Sequence, residues 1–217
     1  VKNIPWVIML TVTILQFTTL AMKGGAYVYY FENYVSKNSL SDFISPIIDF
    51  LSSIGINFFG SDPVSAGFGL FNAGGIIFMI IGIGLSKMLA DKYGKRNVFG
   101  VFLFISTLFI LVFYILSPDS INLIFGAQIF HGFFYGITIP LLWAMIADVA
   151  DYSEWKNNRR ATAIIFSAMM VGLKLGLSIG GALVASIYGS YGYDTNSVAS
   201  QTEAANIGTK ILVSICR

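Results

Sequence analysis

Ala161-Thr162-Ala163-Ile164-Ile165-Phe166-Ser167-Ala168-Met169-Met170-Val171-Gly172-Leu173-Lys174-Leu175-Gly176-Leu177-Ser178-Ile179-Gly180-Gly181-Ala182-Leu183-Val184-Ala185-Ser186-Ile187 carries a single charge, Lys174. A helix needs about 20 mostly apolar residues to cross the roughly 30 Å hydrocarbon layer of a bilayer, and this run supplies them. Strict period-2 alternation, the mark of a half-buried strand, is missing. Gly172, Gly176 and Gly180 recur every fourth residue and make one small-residue face suited to close packing against a neighbouring helix. Lys174 lies two residues from Gly172, about 200° around the helix, so it projects away from that face, on the side of Ser167 and Ser178. A charge at bilayer depth costs about 2.5–3.5 kcal/mol on insertion scales, so Lys174 is expected to face protein or water and not lipid.

Four further windows qualify as complete spans: residues 5–30, 64–85, 98–116 and 121–147. A sixth run begins near residue 207. Of the 217 residues 56% are hydrophobic and 11% charged, with a mean hydropathy of +0.76, whereas soluble domains carry about 25% charged residues. A soluble core of this size cannot hide so much apolar surface. The expected fold is an all-α membrane protein with five transmembrane helices and the start of a sixth. The runs are too long for the short alternating strands of a β-barrel. The chain begins without Met and without a basic, cleavable leader, and stops a few residues into the sixth run. Both ends are therefore expected to lie inside a longer protein. The net charge of +2 gives no footprint for nucleic acid, and the one cysteine, Cys216, allows no internal disulfide.

Basic residues in short loops set orientation. Lys87, Lys92, Lys95 and Arg96 follow the second span, and Lys156, Arg159 and Arg160 follow the fourth. Lys2 precedes the first. With five alternating spans these positions share one side, expected to be cytoplasmic. Asp42, Asp49, Asp62, Asp119, Asp194 and Glu203 fall on the other, with Lys37 beside them. The outer loop 35–63 has Ile and Leu at helical spacing over 44–54 and is expected to hold an interfacial helix.

The first span carries an internal cation, Lys23, in a stripe with Gln16, Thr19, Tyr27, Tyr30 and Tyr34 at steps of three and four. Lys23 and Tyr27 are expected to line a water-filled hollow shared with Lys174, and Tyr30 and Tyr34 to form an interfacial aromatic belt. The fourth span has a matching stripe of Gln128, His131, Tyr135 and Thr138. Pro140 follows, removing one backbone hydrogen bond, and Trp143 offers a flat apolar face of the kind that suits a sugar ring. Lys174, Lys23, Trp143, Tyr27, Gln128 and His131 are the candidate substrate contacts. Asp91-Lys92-Tyr93-Gly94-Lys95-Arg96 forms a basic loop in which Gly94 permits a tight turn. Asp148, Asp151 and Glu154 occupy one face at the cytoplasmic end of the fourth span. They are expected to pair with the basic loops, Asp91, Arg96, Arg159 and Arg160 completing a set of ion pairs that open and close with conformation. With His131 alone and no Cys or His at ligand spacing, no metal site is expected. Nor is there a catalytic constellation, because Asp148 lies seventeen residues from His131, about 25 Å along a helix. No ring of like residues suggests a channel filter.

The stretch Ala147-Asp148-Val149-Ala150-Asp151-Tyr152-Ser153-Glu154-Trp155, with Arg159 and Arg160 after it, resembles the signature of the glycoside–pentoside–hexuronide:cation symporters of the major facilitator superfamily, which include melibiose permease and xyloside carriers. Gly172-Leu173-Lys174-Leu175-Gly176 is similar to the helix that follows it in that family. Asp91 to Arg96 resembles the superfamily's cytoplasmic loop motif, with Lys87 where that motif has Gly. The resemblance covers essentially the whole chain. It implies the C-terminal six-helix half of a twelve-helix fold, its spans being helices seven to eleven, in the plasma (inner) membrane. It also implies symport of a sugar, glycoside, pentoside or hexuronide with H⁺ or Na⁺ by alternating access, without a further cofactor, and a partnership with the N-terminal half. Lys174 matches a family lysine at the sugar and cation region. The alternative within the superfamily is a carrier of lysolipid or another small solute, which would want a greasier cavity.

Overall fold

The computed structural model describes residues 3–56, 62–158, 161–193 and 201–214. Lys2, Arg159, Arg160, Asp194 and Cys216 lie outside the described residues, as does the side chain of Glu203. Among the described residues the chain forms seven α-helices and no strand: α1 (Ile4–Asn33), α2 (Lys37–Ser53), α3 (Pro63–Tyr93), α4 (Lys95–Leu111), α5 (Ile121–Asn157), α6 (Thr162–Ser190) and α7 (Glu203–Ser214). A 3₁₀ turn, Val112–Tyr114, extends α4. The helices α1, α3, α4 with its turn, α5 and α6 are long and apolar enough to cross a membrane. They correspond to the five apolar windows of the sequence, and the protein is a multi-pass membrane protein.

Local chemistry sets the helix boundaries. Asn3 Oδ1 accepts the Trp6 backbone N–H at 3.2 Å and Pro5 occupies the first turn, where a missing N–H costs nothing. Asp62 accepts both the backbone N–H and the hydroxyl of Ser65, at 2.8 and 2.7 Å, just ahead of Pro63. Between α3 and α4 only Gly94 is non-helical, at φ 83°, a left-handed backbone that glycine adopts without steric cost. The two spans therefore turn back on one another within a single residue. Asn158 ends α5 at φ 49°, and α5 itself runs on through Pro140.

Packing follows two long pairings, α3 along α5 and α1 along α6. In lipid there is little hydrophobic drive between helices, so small residues that let backbones approach carry the association. Gly172, Gly176 and Gly180 are buried against Leu10, Ile14, Phe17, Thr18 and Ala21 of α1, the contact face that their spacing predicts. On the other pairing Gly132 meets the Gly75 carbonyl, Gly136 the Met79 carbonyl, and Gly82 the Phe133 carbonyl, all backbone to backbone. The interior splits into two clusters. One is aromatic, built on Tyr30, Phe31, Phe71, Phe113 and Phe125. The other, towards the basic-loop end, holds Val98, Ile137, Leu142, Ile146 and Met169. Large exposed side chains such as Ile77, Ile80, Phe104, Leu123 and Ile164 ring the bundle, as lipid-facing surfaces require.

Two expectations change. The outer-loop helix is longer and earlier than the pattern at 44–54 suggests. It runs Lys37–Ser53, because Leu40 and Ile44 are buried against the bundle and anchor its first half, Leu40 sitting over Gly67. Tyr30 is no interfacial belt residue: it is fully buried, edge-on to Phe113 at 6.0 Å and tilted on Tyr34 at 5.0 Å. The 3₁₀ turn covers that end of α1, which the sequence pattern of α1 alone does not reveal. Tyr34 is half-buried, donates its hydroxyl to the Leu116 carbonyl at 2.8 Å and carries the Lys210 ammonium 4.8 Å from its ring centre.

Candidate functional site

Lys23 lies ten residues before the end of α1, and His131 ten residues into the antiparallel α5. At 1.5 Å per residue both sit about 15 Å from the same end of the bundle, deep within the spans. Lys23 does not snorkel to an interface. Its Nζ is 2.6 Å from His131 Nε2, and His131 is buried. An ammonium offers only donors, so Nε2 accepts. The ring proton then sits on Nδ1, which is 3.1 Å from the Ser106 carbonyl oxygen of α4 and donates to it. The Tyr27 and Tyr135 rings flank the ammonium at 5.5 and 5.8 Å, close enough for cation–π attraction. Tyr135 also stacks on His131, with centroids 5.6 Å apart.

Two more polar contacts tie the same helices together. Tyr27 donates its hydroxyl to Gln128 Oε1 at 3.0 Å, and Gln16 Nε2 donates to the Tyr135 hydroxyl at 3.4 Å. Each of these links crosses from α1 to α5. Around them is a hollow of about 260 Å³, into which Lys23, Tyr27, Asn72, Gln128, His131 and Tyr135 turn polar or aromatic surface. Gly75 and Gly132 are part of its wall; a Cβ on Gly75 would press on the Gln128 side chain, and one on Gly132 on the Gly75 carbonyl.

The structure thus gathers Lys23, Tyr27, Gln128 and His131 into one site, and adds Gln16, Tyr135 and the Ser106 carbonyl. It does not gather Lys174 or Trp143 there. Lys174 is exposed on α6, opposite the buried glycine face, and lines neither hollow that Lys23 lines. Among the described residues the two amines share neither of these hollows. Trp143 is half-buried and packs on the apolar cluster near the basic-loop end. Among the described residues no group binds a metal in a cluster of three or more His, Cys, Asp or Glu.

At the basic-loop end Lys95 Nζ contacts both Asp148 carboxylate oxygens, at 2.7 and 2.8 Å. This is the only ion pair among the described residues. It joins the start of α4 to α5, which puts the basic loop and the acidic helix end on the same side of the bundle. Asp91, Arg96, Asp151 and Glu154 are exposed and stand outside that pair. Lys95 was recognisable in the sequence only as one of several loop cations. Its selection depends on the Gly94 turn, which places it at the first position of α4.

The chain is 31% identical over 129 residues to the inner membrane symporter YicJ of Escherichia coli (strain K12), covering 59% of this chain and 28% of that protein. It is 28% identical over 152 residues to a glucuronide carrier protein homolog of the same organism, covering 68% and 33%. It is 24% identical over 200 residues to the isoprimeverose transporter of Lactiplantibacillus pentosus, covering 92% and 36%. The chain thus spans about a third of the length of the curated relatives it matches. No solved structure matches it at a significant level. The pattern of the family described as MFS/sugar transport protein matches residues 50–216. These are transporters and not enzymes, and with that match covering well over half of its length, this chain belongs to the MFS/sugar transport protein family.

Proposed function

We propose that this chain is the C-terminal half of a secondary active transporter that carries a sugar, glycoside, pentoside or hexuronide together with H⁺ or Na⁺ by alternating access. The hollow among α1, α3 and α5 carries the reading. It lies deep in the spans, holds a lysine, and mixes hydroxyl, amide and aromatic groups. A sugar needs that mixture, since its hydroxyls want directional partners and its ring faces want aromatic surface. Superfamily transporters bind solute near the midplane between their two halves.

In this reading Lys23, Tyr27, Gln128 and His131 contact the solute directly. Lys174, exposed on α6, meets solute or an acidic group contributed by the other half, and Trp143 offers it an apolar face. The Lys95–Asp148 pair, with Asp91, Arg96, Asp151 and Glu154, belongs to the contacts that close the cytoplasmic side. Names of relatives that include a glucuronide carrier homolog and an isoprimeverose transporter support a sugar over a lysolipid. The test is uptake by the full-length transporter in proteoliposomes, under an imposed proton or sodium gradient. Radiolabelled isoprimeverose, methyl β-D-xyloside and methyl β-D-glucuronide are the probes. At least one is expected to accumulate, and Lys23→Met to abolish accumulation. Failure of all three, with selective thermal stabilisation by lysophosphatidylglycerol, would overturn the sugar assignment.

A further inference from the structure

Lys23 and His131 line two hollows at once. On one side is the cavity of about 260 Å³ bordered by Asn72 and Met79 of α3. On the other is a cleft of about 10 Å³, room for about one water, lined by Ile110 of α4 and Leu212 and Val213 of α7. The pair is therefore the partition between a solute-sized space and a water-sized one.

We propose that the Lys23–His131 pair is a proton-binding element, loaded when a solute takes over the hydrogen bond that Lys23 gives to His131. This rests on the sugar-transport reading and adds the coupling ion and its site. The argument begins with the 2.6 Å contact. Nε2 accepts from the ammonium and so has no lone pair left for a proton. If Nε2 were protonated, two donors and two cations would oppose each other across that distance. Contact with Lys23 and protonation of His131 therefore exclude one another. Lys23 is only half-buried and lines the larger cavity. Its ammonium has three N–H groups, so a solute frees Nε2 only by drawing Nζ out of reach of the ring: a carboxylate or hydroxyl oxygen seated deeper in that cavity pulls Nζ towards itself, and the Nζ–H···Nε2 bond is lost. A proton from hydronium, delivered through water, then adds to the freed Nε2 lone pair and leaves water behind. The imidazolium keeps its Nδ1–H bond to the Ser106 carbonyl, so no donor is stranded.

The surroundings favour this exchange. Of the groups facing the pair, Tyr27 on α1 and Tyr135 on α5 are titratable, and both present ring faces that tolerate a cation. The α3 side gives Asn72, and the α4 and α7 sides give a carbonyl and aliphatic groups. Lys174 on α6 lies off both hollows. A carboxylate on the solute brings negative charge next to two positive groups, so a hexuronide is the solute whose binding should draw in the proton most strongly.

The experiment uses the full-length transporter in sodium-free, weakly buffered detergent, with methyl β-D-glucuronide as probe. Bound sugar is counted by equilibrium dialysis and proton uptake by an indicator dye. The wild type is expected to take up about one proton per sugar bound, and His131→Gln or His131→Asn less than about a fifth of that per sugar bound. Ring ¹⁵N signals of wild-type His131, assigned by their loss in the variants, should change from a singly to a doubly protonated imidazole on binding. That readout decides the matter if the variants bind too weakly to score. Sugar binding without proton uptake, or with His131 still singly protonated, overturns this inference and leaves sugar transport standing. Absence of binding by this sugar and by isoprimeverose and methyl β-D-xyloside overturns the sugar reading, and this inference with it.

Discussion

Replacing Gly136 with Ala adds one methyl group at the tightest seam of the bundle. On Gly136 a Cβ would press into the Met79 carbonyl oxygen, and the obstacle is backbone. Rotating a side chain away cannot relieve it, so α3 and α5 must separate or slide. Overpacking of this kind costs about 1–3 kcal/mol, and an unyielding backbone obstacle puts Gly136→Ala at the upper end. Ala also recovers up to about 1 kcal/mol of helix propensity over Gly, which leaves a net loss of about 2 kcal/mol. For a domain of this size each kcal/mol moves Tm by about 2–4 °C, so a fall of roughly 4–8 °C is expected. The assay is thermal unfolding of the full-length protein in detergent, followed by intrinsic fluorescence. Gly126→Ala on the same helix is the control, since a Cβ there meets nothing within 4 Å. It should leave Tm unchanged or raise it. If the two variants unfold at the same temperature, α3 and α5 do not approach in the register described here, and the glycine argument fails.

Other predictions concern the ends of the helices. Lys95 and Asp148 have side chains 43% and 53% exposed, so solvent screens their attraction and the pair contributes at most about 1 kcal/mol. Asp148→Asn should lower Tm slightly in dilute buffer and negligibly in 1 M NaCl, where screening is strong. A large, salt-independent loss would show that Asp148 does more than pair with Lys95. At the start of α3 the Ser65 hydroxyl and N–H hold the Asp62 carboxyl below its usual range. The ionised cap therefore supports the first turn above the unfolded carboxylate pKa, and its support fades as pH falls through the lowered folded value. Amide exchange at Ser65 and Ala66 should accelerate in Asp62→Ala at neutral pH. Wild-type protection should weaken only in acid below the ordinary carboxylate range. Equal exchange in both proteins at neutral pH would remove the cap from the account.

Much of this architecture is readable in one dimension because it depends on periodicity. Five windows are too apolar for water and long enough for lipid. Gly172, Gly176 and Gly180 declare their packing face because spacing by four is a property of one helix. The stripes Gln16–Lys23–Tyr27 and Gln128–His131–Tyr135 are legible for the same reason, and they meet across α1 and α5. What the sequence cannot display is which helix faces which. Gly75, Gly82, Gly132 and Gly136 matter through the carbonyls they touch on a partner helix. The Ser106 carbonyl that orients His131 carries no residue signature. Tyr30 reads as a belt residue until the turn after α4 closes over it. Lys174 shows the limit most clearly: its direction opposite the glycines follows from geometry, but its absence from the Lys23 hollows appears only in the packed bundle.

The central claim is that the hollow beside Lys23 and His131 receives the transported solute. Met79 and Asn72 border it on the α3 side. A single cysteine at Met79, in a full-length protein otherwise free of cysteine, should react with a small maleimide, and isoprimeverose or methyl β-D-glucuronide should slow that labelling in proportion to its occupancy of the transporter. A cysteine at Ile54, exposed just past the end of α2 and outside the spans, serves as the reference. Protection at Met79 without protection at Ile54 is the predicted result; sugar that accumulates in the vesicles yet leaves labelling at Met79 unchanged would place the binding site elsewhere.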